Sequence, residues 1–201
     1  MKWIWQARGR IAVEKTNIAE EKRAARLEAR ARLLAAAPAE RARWGQEMFR
    51  YLEMLPVWHT ARTVLCFMST PTEPDTTPLL QTALKSGRTL CLPRQCPEGR
   101  MEAHRVAALF ALRPGPHGIL EPPPTLPVVD PAAIDLIVAP CLAATPAGVR
   151  LGHGGGFYDR FFARSGAARV ALCPAAAVFP QLPADEFDLP VDLVITERGI
   201  L

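Results

Sequence analysis

The 201-residue sequence lacks any apolar run long enough to cross a bilayer; Val106–Leu112 is far too short. Its first residues, Met1-Lys-Trp-Ile-Trp5, lack the apolar core of a secretory signal, so a cytoplasmic location and no membrane partner are expected. The five cysteines (Cys66, Cys91, Cys96, Cys141, Cys173) form no Cys-x-x-Cys pair, which argues against zinc and for buried, reduced thiols. There is no Gly-Lys-Ser/Thr of a Walker A loop and no solenoid-type repeat. No Ser/His/Asp or Cys/His constellation is apparent.

What is present suits one globular domain. Hydrophobic residues make up 49% of the chain, enough for a sizeable core, and the formal charge is a mild +4. Much of the basic excess lies between Lys22 and Arg50. Asn17-Ile-Ala-Glu20 reads as a capping box, so a helix is expected to start there, with Leu27, Ala31 and Leu34 as its apolar seam. Lys22, Arg26 and Arg30, four apart, form one basic ridge. Pro38 fits the first turn of a second helix carrying Trp44, Met48, Leu52 and Leu55 on one face, with Pro56 as its stop. Beyond it, strands are expected at 63–68, 88–92, 134–138, 169–173 and 191–195, with a helix over 76–86 capped by Gly87. This alternation predicts an α/β fold: a single domain, mostly parallel central sheet flanked by helices, with an N-terminal helical segment. Residues 1–16 read as an N-terminal extension and 17–201 as the α/β domain. Pro114–Pro131 reads as an ordered surface loop.

The most informative segment is Gly148-Val-Arg-Leu-Gly-His-Gly-Gly-Gly-Phe-Tyr-Asp-Arg160. Gly152, Gly154, Gly155 and Gly156 carry no Cβ, so their backbone can approach a ligand and present successive N–H groups to an anion. The N-terminus of the following helix adds positive potential. Arg150 suits phosphate as a bidentate donor, and Asp159 suits Mg²⁺. Glycines alone fit a mobile surface loop equally well; the flanking Arg150 and Asp159 favour phosphate. Asp159 as a helix cap, or as a partner of Arg160, is the alternative for that residue. For the basic ridge, the alternatives are a solvated face or nucleic-acid binding, for which no motif is present.

This loop resembles that of the 5-formyltetrahydrofolate cyclo-ligases, which reads roughly Gly-x-Arg-Leu-Gly-x-Gly-x-Gly-Tyr-Tyr-Asp-Arg. Gly148, Arg150, Leu151, Gly152, Gly154, Gly156, Tyr158, Asp159 and Arg160 match it. In the same order along the chain, Lys22-Arg-Ala-Ala-Arg26 resembles the family's Lys-x-x-x-Arg, and Glu73-Pro-Asp75-Thr76 its Glu-Val-Asp-Thr. Gly118-Ile-Leu-Glu121-Pro122 resembles Gly-Ile-x-Glu-Pro, and Leu182-Pro183, Asp188 and Thr196-Glu197 resemble the C-terminal signature. The resemblance implies ATP- and Mg²⁺-dependent closure of 5-formyltetrahydrofolate to 5,10-methenyltetrahydrofolate through a phosphorylated formyl (iminophosphate) intermediate. It implies Arg150 and Glu73 as catalytic residues. ATP would be bound by Lys22, Arg26, Arg150, Gly152, His153, Gly154, Gly155, Gly156, Tyr158 and Asp159. Glu73 and Phe157 would bind the folate, and Asp159 the metal. A monomer acting on a small molecule is expected.

Six positions depart from the family pattern. Gly155 stands where many members carry Lys, and Phe157 replaces a Tyr. Ala144-Thr145 replaces Phe-Asp, Ala177 a Gln, and Phe187 a His before Asp188. Each lost buried polar contact costs about 1–3 kcal/mol in the step it serves. These losses leave a non-catalytic or altered-substrate folate- or nucleotide-binding relative as the second expectation.

Overall fold

Five apolar runs become the inner strands of one sheet because helices and loops cover both of its faces, as a parallel sheet requires. The computed structural model describes residues 2–201, without the side chains of residues 2–16 and 117. In chain order the elements are α1 (Lys2–Ala35), α2 (Pro38–Glu53), α3 (Pro56–Thr60), β1 (Thr63–Leu65), α4 (Thr77–Lys85), β2 (Thr89–Gln95) and β3 (Met101–Arg105). Then come β4 (Arg113–Pro114), β5 (Leu120–Glu121), β6 (Val128–Val129), β7 (Leu136–Pro140), β8 (Ala143–Ala144), β9 (Arg150–Leu151), α5 (Phe157–Phe162), β10 (Ala168–Leu172), β11 (Leu193–Thr196) and β12 (Gly199–Ile200).

The main sheet has eight strands in the order β12-β11-β10-β7-β1-β2-β3-β6. The inner five, β11, β10, β7, β1 and β2, run parallel, with Val64 level with Leu90 on one side and Leu136 on the other. The outer strands β12, β3 and β6 are antiparallel additions. The single α/β domain with its mostly parallel sheet is therefore as expected. The chain leaves β1 towards β2 and later returns to β7 on β1's other side. The crevice between the carboxyl ends of β1 and β7 is thus a topological switch point, where open α/β sheets bind ligands.

Two expectations about α1 are corrected. The helix already runs from Lys2, so Asn17 lies inside it and caps nothing. The apolar seam is out of phase. Leu27 and Leu34 are about 60% exposed (59% and 61%), whereas Ala29 and Leu33 are buried together with Lys22. Lys22 and the half-buried Arg26 of the basic ridge therefore share the inward face, whereas Arg30 is exposed. The roles of Trp3 and Trp5 fall outside the described side chains. The second helix matches its pattern: Pro38 opens α2, and Trp44, Met48 and Leu52 are buried. It ends before Pro56, which opens α3 instead; Trp58 of α3 meets Phe49 edge-on at 5.6 Å. The loop expected at Pro114–Pro131 contains β5 and β6, and β5 closes a small ladder with β4.

Cys66, Cys91, Cys141 and Cys173 are buried and Cys96 is half-buried. Burial pushes the Cys66 and Cys91 thiols up to about 12. The thiolate is the reactive form, so these groups are inert in the native state. A mild thiol reagent is expected to modify Cys96 first and the other four only on unfolding. Peptide mapping after brief alkylation checks this; rapid labelling of Cys66 or Cys91 would contradict it.

Candidate active site

At the switch point lies a cleft of about 1010 Å³, a size suited to small-molecule ligands. Segments distant in sequence build it, including β2, β3 and β5, which bring Gln95, Met101 and Glu121. Helix α1 brings Lys22 and Arg26, the turn after β1 brings Glu73, and the segment after β7 brings Arg150 and the glycines. The loop Asp185–Leu189 forms a further wall. Among the residues proposed from sequence, every one named for ATP, folate or metal lines this single cleft.

The glycine loop is held open by its own chemistry. Gly154 has φ +109° and Gly156 φ +62°, backbone that L side chains rarely adopt. The Arg26 guanidinium packs beside Gly154, in ordinary contact at 3.5 Å from where its Cβ would stand, and its Nε donates to the Gly152 carbonyl at 2.9 Å. On the other side Arg160 donates to the carbonyls of Gly99 and Gly155, each at 2.6 Å, and ties the loop to the β2–β3 hairpin. The helix that follows, α5, has only six residues, so its dipole adds less than the sequence suggested.

Arg150 is buried and pre-set. Its Nη2 donates to Asp159 Oδ1 at 2.9 Å and its Nη1 to the Pro140 carbonyl at 3.4 Å. The guanidinium lies 5.6 Å from the Tyr158 ring centre and 5.4 Å from that of Phe162. Asp159 Oδ1 also accepts from the Leu189 amide. Asp159 is thus the partner of Arg150, neither a helix cap nor a partner of Arg160. Burial drives the Tyr158 phenol well above its ordinary pKa, and its hydroxyl has no hydrogen-bond partner among the described residues.

Glu73 is clamped by a local turn. Its Oε2 accepts from the Thr70 amide at 2.8 Å, and its Oε1 lies 3.2 Å from His153 Nε2. The His153 contact joins the turn after β1 to the glycine loop, 80 residues away. Two long-range partners escaped sequence reasoning. Lys22 Nζ donates to Asp185 at 2.7 Å and also to Asp188. Burial alone would depress the Lys22 ammonium, but the hydrogen bonds and charges of Asp185 and Asp188 outweigh it and raise its pKa. Asp188 was visible as part of a C-terminal signature, but nothing local marked it as a partner of helix α1.

The six departures divide by position. Ala144, Thr145 and Ala177 are buried away from the cleft; Thr145 closes a turn by accepting from the Val149 amide at 3.2 Å. Gly155, Phe157 and Phe187 line the cleft. Two of these are physically linked. A Cβ on Gly155 would lie 2.6 Å from the Phe157 ring, so a side chain there requires the ring to swing away.

Comparison with known proteins agrees with this geometry. The family model described as the 5-formyltetrahydrofolate cyclo-ligase family matches residues 18–197. A 5-formyltetrahydrofolate cyclo-ligase of Mycolicibacterium smegmatis is 33% identical over 153 residues, covering 71% of this chain and 77% of the relative. That of Escherichia coli is 29% identical, covering 85% and 97%. The solution structure of the Aquifex aeolicus 5,10-methenyltetrahydrofolate synthetase superposes with a TM-score of 0.79 at 31% identity, over 89% of this chain and 91% of that one. A family match that spans almost the whole fold, and takes in every segment that lines the cleft, makes this chain a member of the 5-formyltetrahydrofolate cyclo-ligase family.

Proposed function

We propose that this chain uses ATP to close the ring of 5-formyltetrahydrofolate, yielding 5,10-methenyltetrahydrofolate, ADP and phosphate. The observation that supports this best is the meeting of the glycine loop, Arg26 and Arg150 with Glu73 in one cleft, within a chain of this family. The formyl oxygen attacks the γ-phosphorus, the bond to the bridging oxygen breaks, and ADP leaves with that electron pair. N10 then adds to the activated formyl carbon of the iminophosphate. Its proton goes to solvent, and phosphate departs with the C–O electron pair as the ring closes.

No protein nucleophile is needed, so the protein contributes positioning and charge. The amides of Gly152–Gly156 and the Arg26 and Arg150 side chains receive the phosphates, beside His153 and Tyr158. Lys22 reaches them by exchanging Asp185 and Asp188 for phosphate oxygen. Glu73 and Phe157 orient the folate. Among the described residues no three His, Cys, Asp or Glu side chains converge on a metal position. One carboxylate with water and phosphate oxygens nevertheless suffices for Mg²⁺. Asp159 fits that role, because no hydrogen bond among the described residues uses its Oδ2. When bound, the ion would neutralise charge on the phosphoryl oxygens.

Pure protein mixed with 5-formyltetrahydrofolate and MgATP is expected to develop the methenyl chromophore in an ATP-dependent manner. No product at high enzyme concentration would reject catalysis. A second reading, a folate- or nucleotide-binding relative without turnover, draws on Gly155, Phe157 and Phe187, the departures that line the cleft. Calorimetric binding without turnover would favour it, and turnover at an ordinary enzymatic rate would eliminate it.

A further inference from the structure

Among the carboxylates that line the cleft, Glu121 takes no part in the chemistry above. Glu121, at the end of β5, is 5% exposed and lines the cleft beside Gln95, Met101, Ile119 and Pro93. Gly115 packs directly against it: a Cβ there would lie 2.7 Å from the carboxyl carbon. A carboxylate can accept about four hydrogen bonds. Glu121 receives one, from the Gln95 amide to Oε1, at a long 3.4 Å. No hydrogen bond among the described residues reaches its Oε2.

The charged neighbours are already occupied. Arg94 on β2 donates to the Pro122 carbonyl at 2.8 Å. His104 on β3 uses Nδ1 with the Leu126 carbonyl and Nε2 with Glu102. Glu73 contrasts with Glu121, since both of its oxygens already have protein partners. Burial raises the Glu121 carboxyl above its ordinary value, and the Gln95 amide, Arg94 and His104 oppose this only in part. A largely buried carboxylate with one long hydrogen bond keeps most of its acceptor capacity open towards the cleft.

We propose that Glu121 is a specificity-determining residue whose carboxylate receives the paired N–H donors of the substrate's heterocycle at the apolar side of this cleft. The donor set it fits is an adjacent ring N–H and exocyclic amino group, as on a 2-amino-4-oxopyrimidine edge. A carboxylate meets such a planar pair with two parallel hydrogen bonds, as it meets a guanidinium. Apolar neighbours such as Met101 and Ile119 suit the flat ring face and exclude competing water. This assignment rests on the folate reading above, whose pterin ring carries that edge.

The test pairs a protein change with a ligand change. Calorimetry would compare 5-formyltetrahydrofolate with its 2-desamino-2-methyl analogue, on the wild type and on Glu121→Gln. The wild type is expected to bind the analogue at least tenfold more weakly. Glu121→Gln should bind the parent compound at least tenfold more weakly and lose most of the discrimination, while its affinity for MgATP stays within about twofold. Equal discrimination by wild type and variant overturns the assignment and leaves the folate reading intact. A wild type that binds both compounds equally overturns it without recourse to any variant. A parallel fall in MgATP affinity marks a structural role and also overturns it. If the wild type binds neither compound, the folate reading fails and this inference fails with it.

Discussion

Lysine in place of Arg150 is expected to lower kcat about 100- to 1000-fold while leaving the fold intact. The guanidinium spans Asp159 and the Pro140 carbonyl and lies near the rings of Tyr158 and Phe162, so its direction is fixed before a ligand arrives. Lysine keeps the charge and one contact to Asp159 but loses the planar fork that the proposed phosphate contact requires. Loss of one preorganised donor typically costs 10²–10³ in kcat. Alanine is the poorer probe. It strands the largely buried Asp159 carboxylate, and breaking such a pair costs about 3–5 kcal/mol of stability. Turnover measured beside a thermal melt separates the two effects. Wild-type kcat in Arg150→Lys would remove Arg150 from the catalytic role.

Gly45→Ala is expected to destabilise the protein by about 3 kcal/mol, the upper part of the usual range for overpacking. Gly45 lies in the buried face of α2, and a Cβ there would stand 2.0 Å from the Asp75 carbonyl oxygen. The obstacle is the Asp75 backbone, so either the helix or the turn after β1 must move. That turn carries Glu73 two residues earlier, between the buried Pro74 and the Thr70 amide it accepts from. For a chain of this size, 3 kcal/mol is about 6–12 °C in Tm. The KM for folate should rise with it, because Glu73 shifts relative to His153. Gly166→Ala is the control: its Cβ would meet nothing within 4 Å, and its Tm should change by no more than about 2 °C. A Gly45→Ala protein as stable as the wild type would show that α2 and the turn have slack between them.

The parts legible in the sequence share one physical property: their partners leave a local imprint. The inner strands are short apolar runs because both faces are covered, and all five were readable. The outer strands β3, β6 and β12 have exposed or mixed faces and left no such run. The helix α1 was read out of phase because alanine is abundant along it. Ala25, Ala29 and Ala31 allow several seams, and two conspicuous leucines, Leu27 and Leu34, face water. At the site, the glycine loop announced itself because positive φ and close approach demand glycine. Pairings across the fold did not. Lys22 and its partners Asp185 and Asp188 are 163 and 166 residues apart, and no local pattern encodes such a meeting. Glu121 stood in a recognisable motif, but its unsatisfied oxygen is a property of the packed cleft and not of the motif.

The most direct measurement is a crystal structure with Mg²⁺ and a non-hydrolysable ATP analogue. Phosphates seated on the Gly154–Gly156 amides, within hydrogen-bond reach of Arg150 and Arg26 and on the Glu73 side of the loop, are the expected result. A nucleotide bound elsewhere, with the glycine loop empty or its amides turned from the cleft, would contradict the assignment of this site.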